Sequence, residues 1–169
     1  MLYLWHCAFR VTFPVETNMF DLLARLYAPA EIFVSNPRYS ETEPKVSVTC
    51  SVPKNTSYTK KPIPYLSAEN YVRILSQASY LLSHYVLDRK LIDLDVSANE
   101  FLKAMEDFEL YYRNLAMTFH TRVEKGDSFE MTLHLKDWRV IKRLDDFVLF
   151  TFENDRTVIS GEMSFIYVA

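Results

Sequence analysis

One stretch of this sequence is long enough, and free enough of helix-breaking residues, to dominate the choice of architecture. Residues 67–86 read SAENYVRILSQASYLLSHYV and contain neither glycine nor proline. Ser67 can cap the first amides of a helix, and Glu69 in the first turn suits the positive end of the helix dipole. The apolar positions cover more than one narrow stripe: Val72, Ile74, Leu75, Ala78, Leu81, Leu82 and Tyr85. The stretch therefore predicts a long helix that is contacted on several sides, as it would be inside a sheet.

Shorter segments before and after this helix also show clear periodicity. Residues 18–28 carry apolar side chains at helical spacing, and residues 98–106 follow a Ser-x-x-Glu capping box, so both predict short helices. Residues 45–52, KVSVTCSV, alternate between apolar and polar side chains and predict a half-buried strand. Residues 35–44, SNPRYSETEP, are interpreted as a loop because they contain two prolines and mostly polar side chains.

The second half of the chain alternates strongly and predicts a run of antiparallel strands. Residues 115–123 and 129–135 are interpreted as neighbouring strands that turn at Gly126 and Asp127, and residues 138–144 as a separate strand. Two further strands, 147–154 and 157–168, are expected to join at Asn154 and Asp155, with a bulge at Gly161.

A strand, a long helix and then a run of strands is an α+β pattern. We therefore predict an antiparallel sheet wrapped around one long central helix. The 169 residues provide for one core, so we expect a single domain, 1–169, with a short N-terminal helical extension.

Composition argues against several function classes. A net charge of −3 and a pI near 5.8 indicate no positively charged surface for nucleic acid. The chain has only two glycines, too few for a glycine-rich phosphate loop. Cys7 and Cys50 show neither disulfide nor zinc spacing, so we expect a reducing cytoplasm and no bound cofactor. The apolar first thirteen residues are interrupted by His6 and Arg10 and are interpreted as part of the mature protein. No apolar run approaches the roughly 18 residues of a membrane-spanning helix, so we expect no membrane span.

Five stretches resemble the FcoT-like acyl thioesterases, a branch of the hot-dog superfamily. They lie between residues 22 and 163 and read LLARLYAP, RYSETE, YLSAENYVRILSQASYLL, KDWRVI and SGEM. The resemblance implies a hot-dog fold, assembly as a homodimer or a higher homo-oligomer, and an acyl chain beside the central helix with the thioester near its N-terminal part. It implies as substrate a fatty acyl or enoyl thioester of coenzyme A (CoA) or of acyl carrier protein.

Three functions follow from this resemblance. Thioester hydrolysis is our first hypothesis. Addition of glycine or another amine across the double bond of an enoyl thioester, the second activity of the branch, is the alternative. A non-catalytic hot-dog protein that binds an acyl chain or a carrier protein is the third. A dehydratase ranks last, because those enzymes use a histidine with an acidic partner, which is not found near the helix start.

The polar residues of the family are mostly replaced in this chain. The tyrosine of the loop before the helix corresponds to Tyr58, displaced by one residue. The family histidine corresponds to Tyr65, the asparagine at the helix start to Ser67, the later asparagine to Ser76, and a further tyrosine to Ala30. These departures indicate that the chemistry or the substrate differs from that of the family.

Attack on a thioester builds negative charge on the carbonyl oxygen, which the amides after Ser67 could stabilise. Glu69 is the candidate general base, although a glutamate in a first turn is also favoured by the dipole alone. Tyr58 and Tyr65 are candidate hydrogen-bond donors with catalytic roles, although tyrosines also pack with a hydroxyl at the surface. The candidate substrate-binding residues are Ser67, Asn70, Arg73, Ser76 and Gln77; a helix cap and a solvated helix face are their structural alternatives.

The other reactive side chains are given structural interpretations. Cys50 alternates with valines and is expected in the core, and His84 near the helix end suits the negative end of the dipole. His120 and His134 are interpreted as solvent-facing neighbours on adjacent strands. No metal site is predicted.

Overall fold

The computed structural model describes residues 19–56, 59–142, 146–155 and 158–168. The first thirteen residues and Tyr58 lie outside these ranges. In chain order the elements are α1 (Met19–Ala24), a 3-10 turn (Pro29–Glu31), β1 (Val34–Tyr39), β2 (Lys45–Ser51), α2 (Ala68–Asp88), α3 (Ala98–Glu106), β3 (Leu110–Phe119), β4 (Ser128–Lys142), β5 (Asp146–Asn154) and β6 (Ile159–Val168).

The six strands form one sheet in the order β1-β2-β4-β5-β6-β3, and all neighbouring strands are antiparallel. Helix α2 contacts β1, β2, β4, α1 and α3. Its residues 74–79 are all buried, which requires neighbours on several sides of the helix. The predicted α+β fold class, an antiparallel sheet around a long central helix, is confirmed.

The start of the long helix is confirmed at its predicted cap. Ser67 Oγ accepts a hydrogen bond from Asn70 N at 3.4 Å, and Asn70 Oδ1 accepts one from Ser67 N at 3.1 Å. Asn70 thus takes the place that glutamate or glutamine occupies in the usual capping box. The capping box before α3 and the alternation of β2 are also confirmed. Helix α1 is shorter than the predicted helix over 18–28 and ends at Ala24.

The core lies between α2 and the sheet. The inward face of β2 consists of Val46, Val48 and Cys50, which are fully buried together with Ile74 and Leu82 of the helix. Truncating one such large side chain to alanine costs about 2–5 kcal/mol in other proteins. A second part of the core is aromatic and packs under α3: Phe101, Phe150, Phe152, Phe165 and Tyr167.

The predicted pairing of the strands on either side of Gly126 is wrong. Strand β3 pairs with β6 at one edge of the sheet, whereas β4 lies between β2 and β5. Alternation identifies a strand but not its partner, and the turn at Gly126 belongs to a segment that connects distant parts of the sheet. His120 and His134 are therefore not on adjacent strands, because β5 and β6 lie between β3 and β4.

The prediction of a separate strand over 138–144 is also wrong. Strand β4 runs without interruption from Ser128 to Lys142. Its register against β5 shifts between Leu135 and Asp137. Such an irregularity shifts the alternation of apolar and polar side chains by one residue. The sequence of one long strand therefore looks like that of two separate strands.

Part of the predicted loop over 35–44 is a strand. Strand β1 contains Asn36 and Pro37, two residues that usually interrupt strands. Proline is tolerated because β1 lies at the edge of the sheet, and the register shift between Ser35 and Arg38 accommodates Asn36 with its φ of 49°.

No bulge occurs at Gly161, contrary to the prediction. Gly161 pairs in register with Met117 on one side and Asn154 on the other. Glycine is required because a Cβ at this position would lie 2.5 Å from the main-chain oxygen of Ala116.

Candidate functional site

A cleft of about 320 Å³ opens beside the first two turns of α2. Three parts of the chain form it: the 3-10 turn, the residues that follow β2, and the start of the helix. Its lining residues are Ala30, Glu31, Pro53, Asn55, Thr56, Glu69, Asn70 and Arg73. The cleft thus brings together three of the predicted site residues, namely Glu69, Asn70 and Arg73.

Arg73 is the electrostatic centre of this cleft. Its guanidinium forms an ion pair with Glu31, and its Nη2 lies 3.4 Å from Glu69 Oε1. The four-residue spacing between Glu69 and Arg73 places both on one helix face. The guanidinium also lies over the ring of Phe33, 5.3 Å from the centroid, which keeps it in place. One cation is therefore held between two carboxylates.

Gln77 supports the segment that carries Glu31. This side chain is fully buried, and it contributes to the site through main-chain contacts. Its Nε2 donates to the main-chain oxygen of Glu31 at 2.7 Å, and its Oε1 accepts from Phe33 N at 2.8 Å. Both polar ends of the amide are satisfied, so Gln77 fixes the main chain on both sides of Ile32.

Ser67 and Asn70 are engaged with each other at the helix cap. In addition to the two capping bonds, Ser67 Oγ donates to Asn70 Oδ1 at 3.0 Å. Asn70 lines the cleft although it is almost completely buried. These bonds give both residues a structural role at the edge of the cleft.

Ser76 belongs to a different group of polar side chains. Its hydroxyl donates to the main-chain oxygen of Val72 at 2.7 Å, so the hydroxyl of Tyr112, its second partner, is the donor to Ser76 Oγ. Tyr80 lies near both Tyr112 and Tyr27 and interacts with them electrostatically. We call Ser76, Tyr112, Tyr80 and Tyr27 the hydroxyl cluster.

The hydroxyl cluster adjoins the charged cleft. Burial raises the pKa of Tyr27 to about 12, with Tyr112 adding to the rise and the positive charge of Arg73 opposing it. Burial likewise raises the pKa of Tyr80, and Tyr112 adds to that rise. Tyr27 and Tyr80 therefore remain protonated near neutral pH. Sequence patterns gave no signal for Tyr112, which reaches Ser76 from 36 residues away.

No family model matches this sequence, and no curated protein does. Among solved structures, 4-hydroxybenzoyl-CoA thioesterase from Pseudomonas sp. strain CBS-3 is 11% identical over 73% of this chain and 84% of its own, with a TM-score of 0.45. A Staphylococcus aureus protein solved in complex with CoA is 16% identical over 76% of this chain and 73% of its own, with a TM-score of 0.44. An uncharacterized protein from Pyrococcus horikoshii is 12% identical over 83% and 87%, with a TM-score of 0.44.

A strand, a long helix and a run of antiparallel strands in one sheet form the hot-dog arrangement. The chain has the hot-dog fold. This assignment rests on the order and the pairing of the described elements. Within the hot-dog frame, the cleft lies at the N-terminal end of the central helix.

Tyr65 is not among the described residues that line the cleft. Tyr58 lies outside the described residues. Tyr65 is about 40% exposed and forms an isolated bridge with Glu124, while the guanidinium of Arg122 lies 4.8 Å from its ring centroid. A catalytic role for either tyrosine therefore stays a prediction.

The remaining reactive groups lie elsewhere on the hot-dog scaffold. Cys50 is buried, and burial raises the pKa of its thiol; burial lowers the pKa of His84. His120 Nε2 lies 2.7 Å from Ser160 Oγ, and His134 Nε2 lies 3.0 Å from Asp155 Oδ1.

Both His120 and His134 line an open groove of about 580 Å³. Within the described ranges, no group of three or more histidine, cysteine, aspartate or glutamate side chains is arranged to hold a metal ion. No helix in the described part of the chain is long and apolar enough to cross a membrane.

Proposed function

We propose that this chain is an enzyme that acts on acyl thioesters and that hydrolysis is its reaction. The observation that carries the proposal is the set Glu31–Arg73–Glu69, held in a cleft at the start of the central helix. The five stretches that resemble FcoT-like thioesterases support the same choice. Thioester hydrolysis requires a base for water and a donor for the carbonyl oxygen, and this set contains both.

Glu69 is the better candidate for the base. Both carboxylates contact Arg73, but the 3.4 Å contact of Glu69 is long for a charged pair, whereas Glu31 forms the close ion pair. Glu69 is also the more exposed of the two side chains, so water can approach it. Glu31 then serves to hold Arg73 in position.

The proposed reaction follows from these roles. Glu69 accepts a proton from water as the water oxygen bonds to the thioester carbonyl carbon. The negative charge that forms on the carbonyl oxygen is stabilised by Arg73 and by first-turn amides of α2 other than that of Asn70, which donates to Ser67 Oγ. When the carbon–sulfur bond breaks, the proton passes from Glu69 to the thiolate, and the products are a carboxylic acid and a thiol.

The thioester carrier we propose is CoA or an acyl carrier protein, both of which bear phosphate. Lys54, Lys60 and Lys61 belong to the segment between β2 and α2, part of which lines the cleft. None of the described ion pairs involves these three lysines. Uncompensated positive charge beside a cleft attracts a phosphate-bearing ligand.

A second candidate reaction is addition of an amino acid to an enoyl thioester. The order negative–positive–negative of Glu31, Arg73 and Glu69 complements a zwitterion, whose carboxylate would bind Arg73 and whose amine would face a carboxylate. Glu69 would take a proton from the ammonium group, and the free amine would bond to the β-carbon as the π-electron pair of the double bond moves to the α-carbon. The α-carbon would then take the proton back from Glu69.

We further propose that the protein is a homodimer that forms through β3. Among the described residues, this strand is the last of the sheet and pairs with β6 alone. It also exposes large side chains, with Tyr111 at 54% and Phe119 at 46%. An exposed apolar edge strand is a template for another strand, and antiparallel pairing of β3 with its copy satisfies a two-fold axis.

Incubation of the purified protein with saturated and 2-enoyl CoA thioesters, each with and without glycine, separates these reactions. Hydrolysis releases free thiol from both substrates without glycine. Amine addition consumes only the enoyl substrate, requires glycine, and leaves a thioester whose mass has increased by that of glycine. Binding of the thioester without turnover under any condition would leave only the non-catalytic binding function.

A further inference from the structure

The segment over residues 123–126, which we call the crossing segment, contacts both ends of the loop before α2. At the far end of that loop, Leu66 N donates to Val123 O at 2.9 Å and Lys125 N donates to Pro64 O at 2.7 Å. At the near end, Gly126 N donates to Val52 O at 2.8 Å. The loop over residues 53–66 is thus closed at its base by one short piece of chain.

Lys125 adds a contact within the loop itself. Its side chain is only 2% exposed, and its Nζ donates to the main-chain oxygen of Thr56. A buried amino group is costly to desolvate unless it is hydrogen-bonded, so this contact is coupled to the burial of the whole side chain. Thr56 and its neighbour Asn55 line the cleft. The buried amine therefore holds one wall of the cleft.

The crossing segment can lie close to the loop because Gly126 has no side chain. Its φ is +92°, a conformation that other residues adopt with strain. A Cβ at this position would lie 2.6 Å from Cε and 2.9 Å from Cγ of Lys54. The aliphatic part of Lys54 therefore packs directly on Gly126, and both lysines attach the loop to the same segment.

We propose that Lys125 is a positioning residue that fixes the Asn55–Thr56 wall of the cleft through its bond to Thr56. In the free protein it restrains the residues 53–56. A consequence for turnover rests on the proposed function. Lys125 keeps the cleft in the shape that binds the thioester, so that its loss lowers kcat/KM while the global fold is retained.

Hydrogen–deuterium exchange tests the first part without any substrate. In Lys125→Met, which keeps the buried stem and removes the donor, amides over residues 54–56 and 59–61 should exchange about tenfold faster than in the wild type. Lys125→Arg, which retains a donor, should restore most of the protection. Lys103→Met, the same change at an exposed site on α3, is the matched control and should leave exchange in the loop unchanged.

Gly126→Ala provides an independent variant that leaves Lys125 in place. It disturbs the packing of Lys54 and should loosen the same loop. Wild-type exchange rates in the loop of folded Lys125→Met, or of folded Lys125→Leu where the methionine variant does not fold, would overturn the proposal.

In the same variants, we expect kcat/KM for the thioester to change in parallel with exchange. It should fall at least fivefold in Lys125→Met, be largely recovered in Lys125→Arg, and stay unchanged in Lys103→Met. Absence of turnover in the wild type would contradict the proposed function but not the restraint on the loop. Faster exchange with unaltered kcat/KM would contradict the effect on catalysis.

Discussion

Gln77 donates from its fully buried amide to the main-chain oxygen of Glu31 at 2.7 Å. This bond joins the middle of the central helix to the 3-10 turn that supplies one of the two carboxylates around Arg73. Because the same amide also accepts from Phe33 N, one side chain fixes the main chain next to both Glu31 and the ring on which Arg73 lies. The position of the charged group in the cleft therefore depends on a residue that does not line it.

Gln77→Leu should destabilise the protein by about 2–4 kcal/mol. Leucine has nearly the same volume but leaves the partly buried Glu31 oxygen and the buried Phe33 amide without their partner, each at a cost of about 1–3 kcal/mol. Urea unfolding measures the loss. Asn99→Leu on the exposed face of α3 is the control and should change the free energy of unfolding by less than about 0.5 kcal/mol. Equal stabilities of Gln77→Leu and the wild type would show that the two bonds do not hold the turn.

Ser76 and Tyr112 should be energetically coupled. Ser76→Ala and Tyr112→Phe each remove one partner of the bond that joins the central helix to β3. In a double-mutant cycle at constant protein concentration, we expect a coupling energy of about 0.5–1.5 kcal/mol. Additive effects of the two substitutions would mean that the hydroxyl cluster is not a connected unit.

Tyr71 provides a test at high pH. It is 1% exposed, and its hydroxyl has no hydrogen-bond partner among the described residues. Burial, with a contribution from Cys50, raises the pKa of Tyr71 to about 12. A raised pKa favours the protonated phenol in the folded state, so its contribution to stability is complete below pH 10 and is lost as the pH rises from 10 to 12.

Tyr71→Phe should therefore leave stability unchanged or increased at pH 7, because it removes an unsatisfied buried hydroxyl. It should also reduce the decline of stability above pH 10 by up to about 1.4 kcal/mol per pH unit. Unfolding by urea at pH 7, 10 and 11 measures both effects. A large loss of stability at pH 7 would indicate that the hydroxyl has a partner.

The edge strand β3 should determine the oligomeric state. Leu115→Lys places a charge in the exposed apolar surface of this strand and should shift the proposed dimer toward monomer, because it brings one added positive charge from each copy into the interface. Sedimentation velocity over a range of concentrations measures the shift. Glu41→Lys, an exposed position far along the chain from β3, is the control for added charge. A wild-type protein that remains monomeric at high concentration would contradict the proposed assembly.

Local sequence patterns were sufficient for the parts of the fold that depend on neighbouring residues. Three such predictions are confirmed: the Ser67 cap, the wide apolar surface of the helix that follows it, and the alternation of β2. Each can be read from residues a few positions apart. The partner of β3 was not predictable in this way, because strand pairing depends on which distant faces must be buried together.

In the candidate site, too, local contacts were predictable from the sequence and long-range contacts were not. Glu69 and Arg73 are four residues apart, so the helix alone brings them together. The contributions of Glu31, Gln77 and Tyr112 depend on contacts between residues 36 to 46 positions apart in the sequence. Periodicity in the sequence does not predict such contacts. The sequence also offered no reason to connect Lys125 with Thr56, 69 residues away.

The central claim is that Glu69 is the base of a thioester hydrolase. The most direct measurement compares kcat/KM for hydrolysis of a fatty acyl-CoA by the wild type, by Glu69→Gln and by Glu109→Gln, an equivalent change at an exposed site before β3. We expect Glu69→Gln to fold normally and to lose about 10²-fold or more, the usual contribution of a general base, whereas Glu109→Gln remains fully active. Equal activity of Glu69→Gln and the wild type would contradict the account.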